Sequence, residues 1–340
     1  MKAPQVSVLM PCYNAAETIS ETLDSLFAQT HINFEIVAVD DGSEDETLDI
    51  LQRAAQQDPR LKPIVRPHEG IIPALNSGLI ACQAEYVARM DADDLAQPER
   101  LKLQAEFLEA HSEIDLVASL IEGFPQSELR GGFHIYIDWL NSLVEHEQIM
   151  RERFVESPFA HPSVMFRKSV VQELGGYQEH GWAEDYDLWL RMAAADVRFA
   201  KLSEVLVSWR DHPPRLTRTD SRYSLSNFLR AKAHYLMRGP LIGRESIIIW
   251  GSGMMGRRIS KYLLDEDAPI TAFVDIDPKK IGRTRRGKPI ISIEDLANQW
   301  PAFQKPIILA AVGARGARKL IRASLEDMKL EEGRDWYAVA

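Results

Sequence analysis

The chain has 340 residues, 45% of them hydrophobic and 26% charged, which is enough to build two ordinary globular domains. A formal net charge of −10 argues against a general nucleic-acid binder, because such proteins neutralise phosphates with a basic surface. Two cysteines, Cys12 and Cys82, exclude a disulfide framework and lack zinc-binding spacing, so the expected compartment is the cytoplasm.

The first residues run directly into a strand-like segment with no signal-peptide core, and no apolar run approaches the length of a membrane span. Any membrane contact is therefore expected to be peripheral. Val6 to Met10 reads as a short buried parallel strand, closed by the loop Pro11 to Asn14. Asn14 and Glu17 have capping-box spacing, and Ile19, Leu23 and Leu26 form the apolar stripe of a helix. The pattern repeats with a strand at Phe34 to Val39, the turn Asp40-Asp41-Gly42-Ser43, and a helix capped by Ser43 with Glu46. A strand at Leu61 to Arg66, a helix at Pro73 to Cys82 and a strand at Tyr86 to Met90 continue it. This alternation predicts an α/β fold with a mostly parallel sheet flanked by helices, whose ligands bind beyond the carboxyl ends of the strands. Pro11 to Asn14, Asp40 with Asp41, and Asp91 with Asp93 all fall at such ends.

The run Tyr86 to Met90 stops abruptly in Asp91, Asp93 and Asp94. In an extended chain Asp91 and Asp93 leave on the same side, about 7 Å apart. Two carboxylates that close call for a hard cation such as Mg2+ or Mn2+, with substrate phosphates completing its shell. The alternative is a solvated acidic turn capping the helix after Pro98.

Residues 118–160 read as less regular, with aromatic residues at Phe133, Tyr136 and Trp139 that suit either a sugar face or a core. His161 to Phe166 resembles a further strand, and Leu174-Gly175-Gly176-Tyr177 a helix stop. Glu184, Asp185 and Asp187 then open a helix that carries Leu188, Arg191 and Met192 on one face, a position where the helix dipole favours anions. The neighbouring carboxylates Glu184 and Asp187 would raise the Asp185 pKa and the helix N-terminus would lower it, and the expected balance is an Asp185 ionised at neutral pH. A strand at Val205 to Trp209 leads into Arg210, His212 and a basic loop with Arg215 and Arg218, suited to clamping a diphosphate.

Val6 to Asn14, Asp40 to Ser43, Met90 to Asp94, His161-Pro-Ser with Gly175-Gly176-Tyr177, and Glu184-Asp185-Tyr-Asp187-Leu-Trp resemble the motifs of family-two glycosyltransferases of GT-A fold, in the family's order, over roughly residues 5–215. The resemblance implies an inverting hexosyltransferase that moves a sugar from a nucleotide-diphosphate donor, first of all a UDP-sugar, to a hydroxyl of a saccharide or lipid-linked acceptor. It implies that Pro11, Tyr13, Asn14, Asp40 or Asp41, Asp91 and Arg210 hold the donor. It further implies that Asp93, Asp91 and His212 hold Mg2+ or Mn2+, and that Asp185, paired with Glu184, is the general base.

Beyond a helical connector, Ser246 to Trp250 is a strand entering Gly251-Ser-Gly253-Met-Met-Gly256, followed by a helix and a strand that ends at Asp275. That is a dinucleotide fingerprint in context, with Gly251, Gly253, Gly256 and Asp275 as its residues; an assembly or acceptor-handling role is the first reading of this module and NAD(P) binding the second. Further elements are expected at Ile307 to Val312 and Ala314 to Met328. The expected organisation is a GT-A domain at 1–218, a helical linker at 219–244 and a small Rossmann-like α/β domain at 245–340. A nucleotide-sensing protein and a sugar-phosphate nucleotidyltransferase are the competing readings.

Overall fold

In the computed structural model, which describes residues 3–31, 33–125, 129, 131–212 and 215–340, contacts divide the chain into two units. The first comprises 1–149, 158–180 and 184–219; the second comprises 150–157, 181–183 and 220–340. The segment 219–244, expected as a separate linker, lies in the second unit apart from its first residue.

The chain opens with β1 (Val6–Cys12), α1 (Ile19–Phe27), β2 (Phe34–Asp40), α2 (Thr47–Gln57), β3 (Leu61–Val65), α3 (Ile71–Ala81) and β4 (Tyr86–Arg89). It continues through β5 (Leu95–Ala96), α4 (Arg100–Ala110), β6 (Leu116–Phe124), α5 (Gly131–Asn141), α6 (His146–Glu152), β7 (Met165–Arg167), α7 (Lys168–Glu173), α8 (Glu184–Ala194), β8 (Phe199–Arg210) and α9 (Leu216–Thr219). The strands form one sheet in the order β3-β2-β1-β4-β7-β6-β8-β5. β1 to β4 run parallel, β7 is antiparallel to β4 and β6, and β8 is parallel to β6.

Helices cover both faces of the parallel half, which is why β1 and β2 read as unbroken apolar runs. α1 buries Ile19, Leu23 and Leu26 in one cluster with Val6, Val8 and Met10. On the other face α3 approaches so closely that a Cβ at Gly78 would lie 2.2 Å from Leu9 Cδ1. The register aligns Cys12 with Asp40 and Asp40 with Val65, so the loops after β1, β2 and β3 emerge along one edge, together with the turn after β4.

Several local expectations change. α1 starts at Ile19 after Thr18 and α2 after Glu46, both without a side-chain cap; Asn14 and Ser43 instead bind across to one another's loops. Pro11 lies inside β1, opposite Val39, rather than in the loop. The segment at His161 begins as a 3-10 turn, His161–Ser163, because Pro162 lacks a backbone donor and pre-sets a turn; β7 starts only at Met165. Residues 118–160 are more regular than they read, holding most of β6 and two helices. Phe133, Tyr136 and Trp139 pack against a buried cluster that includes Ile121, Leu140, Val207 and Trp209.

The second unit contains α10 (Leu225–Met237), β9 (Ser246–Trp250), α11 (Met254–Asp265), β10 (Ile270–Val274), β11 (Thr284–Arg285), β12 (Lys288–Ile291), α12 (Ile293–Gln299), β13 (Pro306–Ala310), α13 (Ala317–Asp327) and β14 (Trp336–Ala338). Its sheet runs β11-β12-β10-β9-β13-β14, parallel except for the short β11–β12 pair. This is a doubly wound order that reverses between β9 and β13. The glycine turn between β9 and α11 is structurally required: Gly251 has φ +110°, and a Cβ at Gly256 would lie 1.7 Å from the Gly251 carbonyl oxygen. Gly256→Ala is therefore expected to destabilise this unit by about 3 kcal/mol, the upper end of overpacking costs. Scanning calorimetry showing unchanged melting would contradict that packing. Among the described residues, no helix is long and apolar enough to cross a membrane.

Candidate active site

The loops after β1, β2 and β3 are tied together by polar side chains. Asn14 adopts φ +48°, a conformation its short polar side chain tolerates, so that its N–H donates to Ser43 Oγ at 3.0 Å and its Oδ1 accepts from Glu44 N at 2.8 Å. Asp41 accepts from Glu69 N at 3.2 Å and Gly70 N at 2.8 Å, and His68 Nδ1 lies 2.9 Å from its Oδ2. Asp40 is buried; one oxygen accepts from Ser43 N at 3.3 Å, and the other has no partner among the described residues. Tyr13, 44% exposed, stacks on His68 with ring centroids 4.0 Å apart. Asp41 and Asn14 are thus committed to loop geometry, while the Tyr13–His68 pair offers an aromatic face. Sequence reasoning missed His68, although it follows the end of β3 as the other site residues follow theirs.

After Arg89 the chain leaves β4 and turns at Ala92–Asp93 instead of staying extended. The turn draws Asp91, Asp93 and Asp94 together, with ligand oxygens all within 4.8 Å of one another, tighter than the strand spacing predicts. Arg89 is fully buried and ion-pairs with Asp91. His212 Nε2 lies 2.6 Å from Asp93 Oδ2. Burial alone would raise the Asp93 pKa, but the His212 hydrogen bond and the charges of Arg215, His212 and Arg89 hold it below the usual carboxylate range. Asp94 takes the opposite direction: burial, then the charges of Asp93 and Asp91, push it well above that range. Its Oδ1 accepts from Arg210 N at 2.7 Å, and its buried Oδ2 has no partner among the described residues.

Arg210, expected on the donor, points into the scaffold instead. Its Nε donates to the Asp93 carbonyl at 2.6 Å, its guanidinium pairs with Glu21, and it lies over the Phe124 ring at 4.4 Å. Arg218 likewise pairs with Asp211, whereas Arg215 stacks on Trp209 at 3.8 Å and keeps its charge near Asp93 and Asp94. Pro213 and Pro214 of that loop lie outside the described residues.

α8 supplies the second acidic group. Asp187 is buried and ion-pairs with Arg191 at 2.7 Å, and Arg191 in turn donates to the carbonyls of Leu174 and Gly176, so this carboxylate anchors the helix. Glu184 is buried, 4.0 Å from His161 Nδ1; burial, then Arg89, pushes the His161 pKa well down, leaving a neutral ring whose Nε2 lies 2.9 Å from Tyr177 Oη. Asp185 does not stay in the ordinary carboxylate range that the helix start favours. Burial and the charge of Glu184 raise its pKa to about 7, opposed by the Tyr186 N–H and by Arg89. Arg89 and Asp91 act on Asp185 electrostatically, so the structure brings the acid of α8 into reach of the turn after β4. An arginine inside the apolar β4 run was the visible signal for this shared counterion.

The profile of Glycosyl transferase family 2 matches residues 7–175. The chain is 35% identical over 208 residues to the amylovoran biosynthesis glycosyltransferase AmsE of Erwinia amylovora, covering 60% of this chain and 75% of AmsE. The chain belongs to glycosyl transferase family 2. It is also 27% identical over 250 residues to the UDP-Gal:alpha-D-GlcNAc-diphosphoundecaprenol beta-1,3-galactosyltransferase of Escherichia coli, covering 72% of this chain and 88% of that one. The crystal structure of S. aureus TarS 1-349 superposes with a TM-score of 0.54 at 23% identity, over 68% of this chain and 65% of that one, and shares the GT-A fold. This family 2 glycosyltransferase is accordingly an enzyme of glycosyl transfer, and the nucleotidyltransferase and sensor readings are set aside. The family match ends before α8, so Glu184 and Asp185 lie beyond it.

In the second unit, Gly251 and Gly256 fulfil the expected turn, but a Cβ at Gly253 would meet no atom within 4 Å, so packing does not require a glycine there. Asp275, expected as the acid of the dinucleotide fingerprint, turns inward onto Ser252, accepting from its N–H at 3.1 Å and from its hydroxyl.

Proposed function

We propose that this glycosyltransferase moves a sugar from a UDP-sugar to an acceptor hydroxyl of a saccharide or lipid-linked saccharide, with inversion and with Mg2+ or Mn2+. The observation that carries the reading is the clustering of Asp91, Asp93 and Asp94 beyond β4, within electrostatic reach of Asp185. The cluster fits a hard divalent cation: all three donors are oxygens, and the buried Asp94 Oδ2 lacks a partner among the described residues. When bound, the ion would act as a Lewis acid on the diphosphate. The E. coli relative, named for UDP-Gal and a diphosphoundecaprenol-linked acceptor, supports the donor and acceptor classes.

The chain's own residues divide the remaining work. The Tyr13–His68 stack offers a face for the base beside Asp40. Arg210 braces the acidic turn through Asp93 O and Asp94, and His212 fixes Asp93 in its ionised form. Asp185 takes the acceptor proton, and attack opposite the leaving diphosphate inverts the anomeric centre. We assign this chemistry to residues 1–218 and an accessory role to 245–340. Free, buried Cys12 and Cys82 fit a reducing, cytoplasmic setting.

NMR of the product from an α-linked UDP-sugar is expected to show a β linkage; an α linkage would refute inversion. Tyr13→Ala is expected to raise the donor KM about fivefold with kcat nearly unchanged, the loss of about 1 kcal/mol of stacking. An unaltered KM would remove Tyr13 from the base site.

A further inference from the structure

The second unit holds a cleft lined by none of the residues assigned above to glycosyl transfer. It has a volume of about 730 Å³ and lies at the carboxyl ends of β9, β10 and β13, where the strand order reverses. That size falls within the range of about 300–1,000 Å³ typical of small-molecule sites, and the strand reversal is where doubly wound sheets bind ligands. Its walls are apolar, with Ile276, Ile293, Val312, Leu320 and Ile321 among them. Ile276 and Leu320 are 76% and 72% exposed, a cost that an occupant would remove.

One end of this cleft is basic. Gly253, Met254 and Lys280 also line an adjoining recess of about 310 Å³ that contains Arg257 and Arg285. Among the described residues Arg257 and Arg285 have no ion-pair partner and Arg285 Nε is buried without a hydrogen-bond partner, whereas Lys280 is paired with Asp275 and Asp277. The recess faces the start of the twelve-residue α11, and the open space at Gly253 leaves its backbone approachable.

The acid that would hold an unphosphorylated ribose is already occupied. Asp275 Oδ2 accepts from Ser252 N–H, Ser252 Oγ and Lys280 Nζ, and Oδ1 accepts from Asp277 N at 3.0 Å. These bonds hold its pKa down against burial, which would raise it. Asp275 is thus not the free carboxylate of a dinucleotide site, and Lys280 at the same end is shared between Asp275 and Asp277 at 3.2 and 3.8 Å. The cleft is thus basic at one end, with Arg257 and Arg285, and apolar at the other.

We propose that this cleft binds a nucleoside diphosphate, with the phosphates at Gly253, Arg257, Lys280 and Arg285 and the base in the apolar part. The test titrates ADP and UDP, with NADH for comparison, into the full chain carrying Asp93→Ala in EDTA, so that the acidic turn of the first unit contributes nothing. ADP or UDP is expected to bind. Gly253→Val, which meets open space, and Arg285→Gln should each weaken that binding at least about tenfold, the loss of a charge-assisted contact, without lowering the melting temperature. The proposal is overturned if neither diphosphate binds, if both variants bind as the parent does, or if NADH binds more tightly than ADP and UDP. Failure of the glycosyl-transfer reading leaves this readout untouched, because Gly253→Val and Arg285→Gln lie in the second unit and change no residue assigned to glycosyl transfer.

Discussion

Asp185→Asn is expected to lower turnover by at least about 10²-fold, the low end of a general-base contribution, while donor and metal affinity stay near those of the parent. The amide keeps the size of the carboxyl and its place at the start of α8 but cannot accept the acceptor's proton. The pH profile gives an independent readout. With a pKa raised to about 7, Asp185 is largely protonated below that pH, so kcat/KM should fall about tenfold per pH unit on the acid side and level off above it. Asp185→Asn should abolish that limb. If Asp185→Asn turned over normally while Glu184→Gln did not, the base would be Glu184. If both variants kept turnover, the acidic start of α8 would serve only the helix.

Asp93→Ala is expected to abolish metal-dependent donor binding and to reduce transfer by at least about 10²-fold, because it removes one of three clustered oxygen ligands and the partner of His212. The fold should persist, since Asp93 lies in a turn at the edge of the sheet and its side chain fills no part of the apolar core. Calorimetry with UDP and Mn2+, beside a thermal melt, separates the two effects. Parent-like affinity in the variant would take the cation away from this turn.

The parallel half of the sheet was legible because β1 and β2 are buried on both faces and so read as unbroken apolar runs, and because acidic residues stand just beyond two of its strand ends. Roles within the site were less legible, since the same residue types serve folding and chemistry. Asp187 and Asp185 stand two residues apart on α8, yet one is locked to Arg191 and the other carries the raised pKa. Arg210 reads as a phosphate clamp until its guanidinium is found on Asp93 O and Glu21. Asp275 sits at the fingerprint position, but Ser252 and Lys280, one within the glycine turn and the other beyond β10, take up its lone pairs. The Asp187–Arg191 pair has the i,i+4 spacing of one helix, whereas the contacts of Arg210 with Glu21 and of Asp275 with Ser252 depend on tertiary proximity, which spacing along the chain does not encode.

The most direct measurement is release of UDP from a panel of UDP-sugars by the full chain, with Mn2+ and after EDTA, for the parent, Asp93→Ala and Asp185→Asn. A metal-assisted transfer site beyond β4 predicts release from at least one donor that needs Mn2+ and is lost in both variants. Equal release after EDTA, or parent-like release by Asp93→Ala, would contradict it.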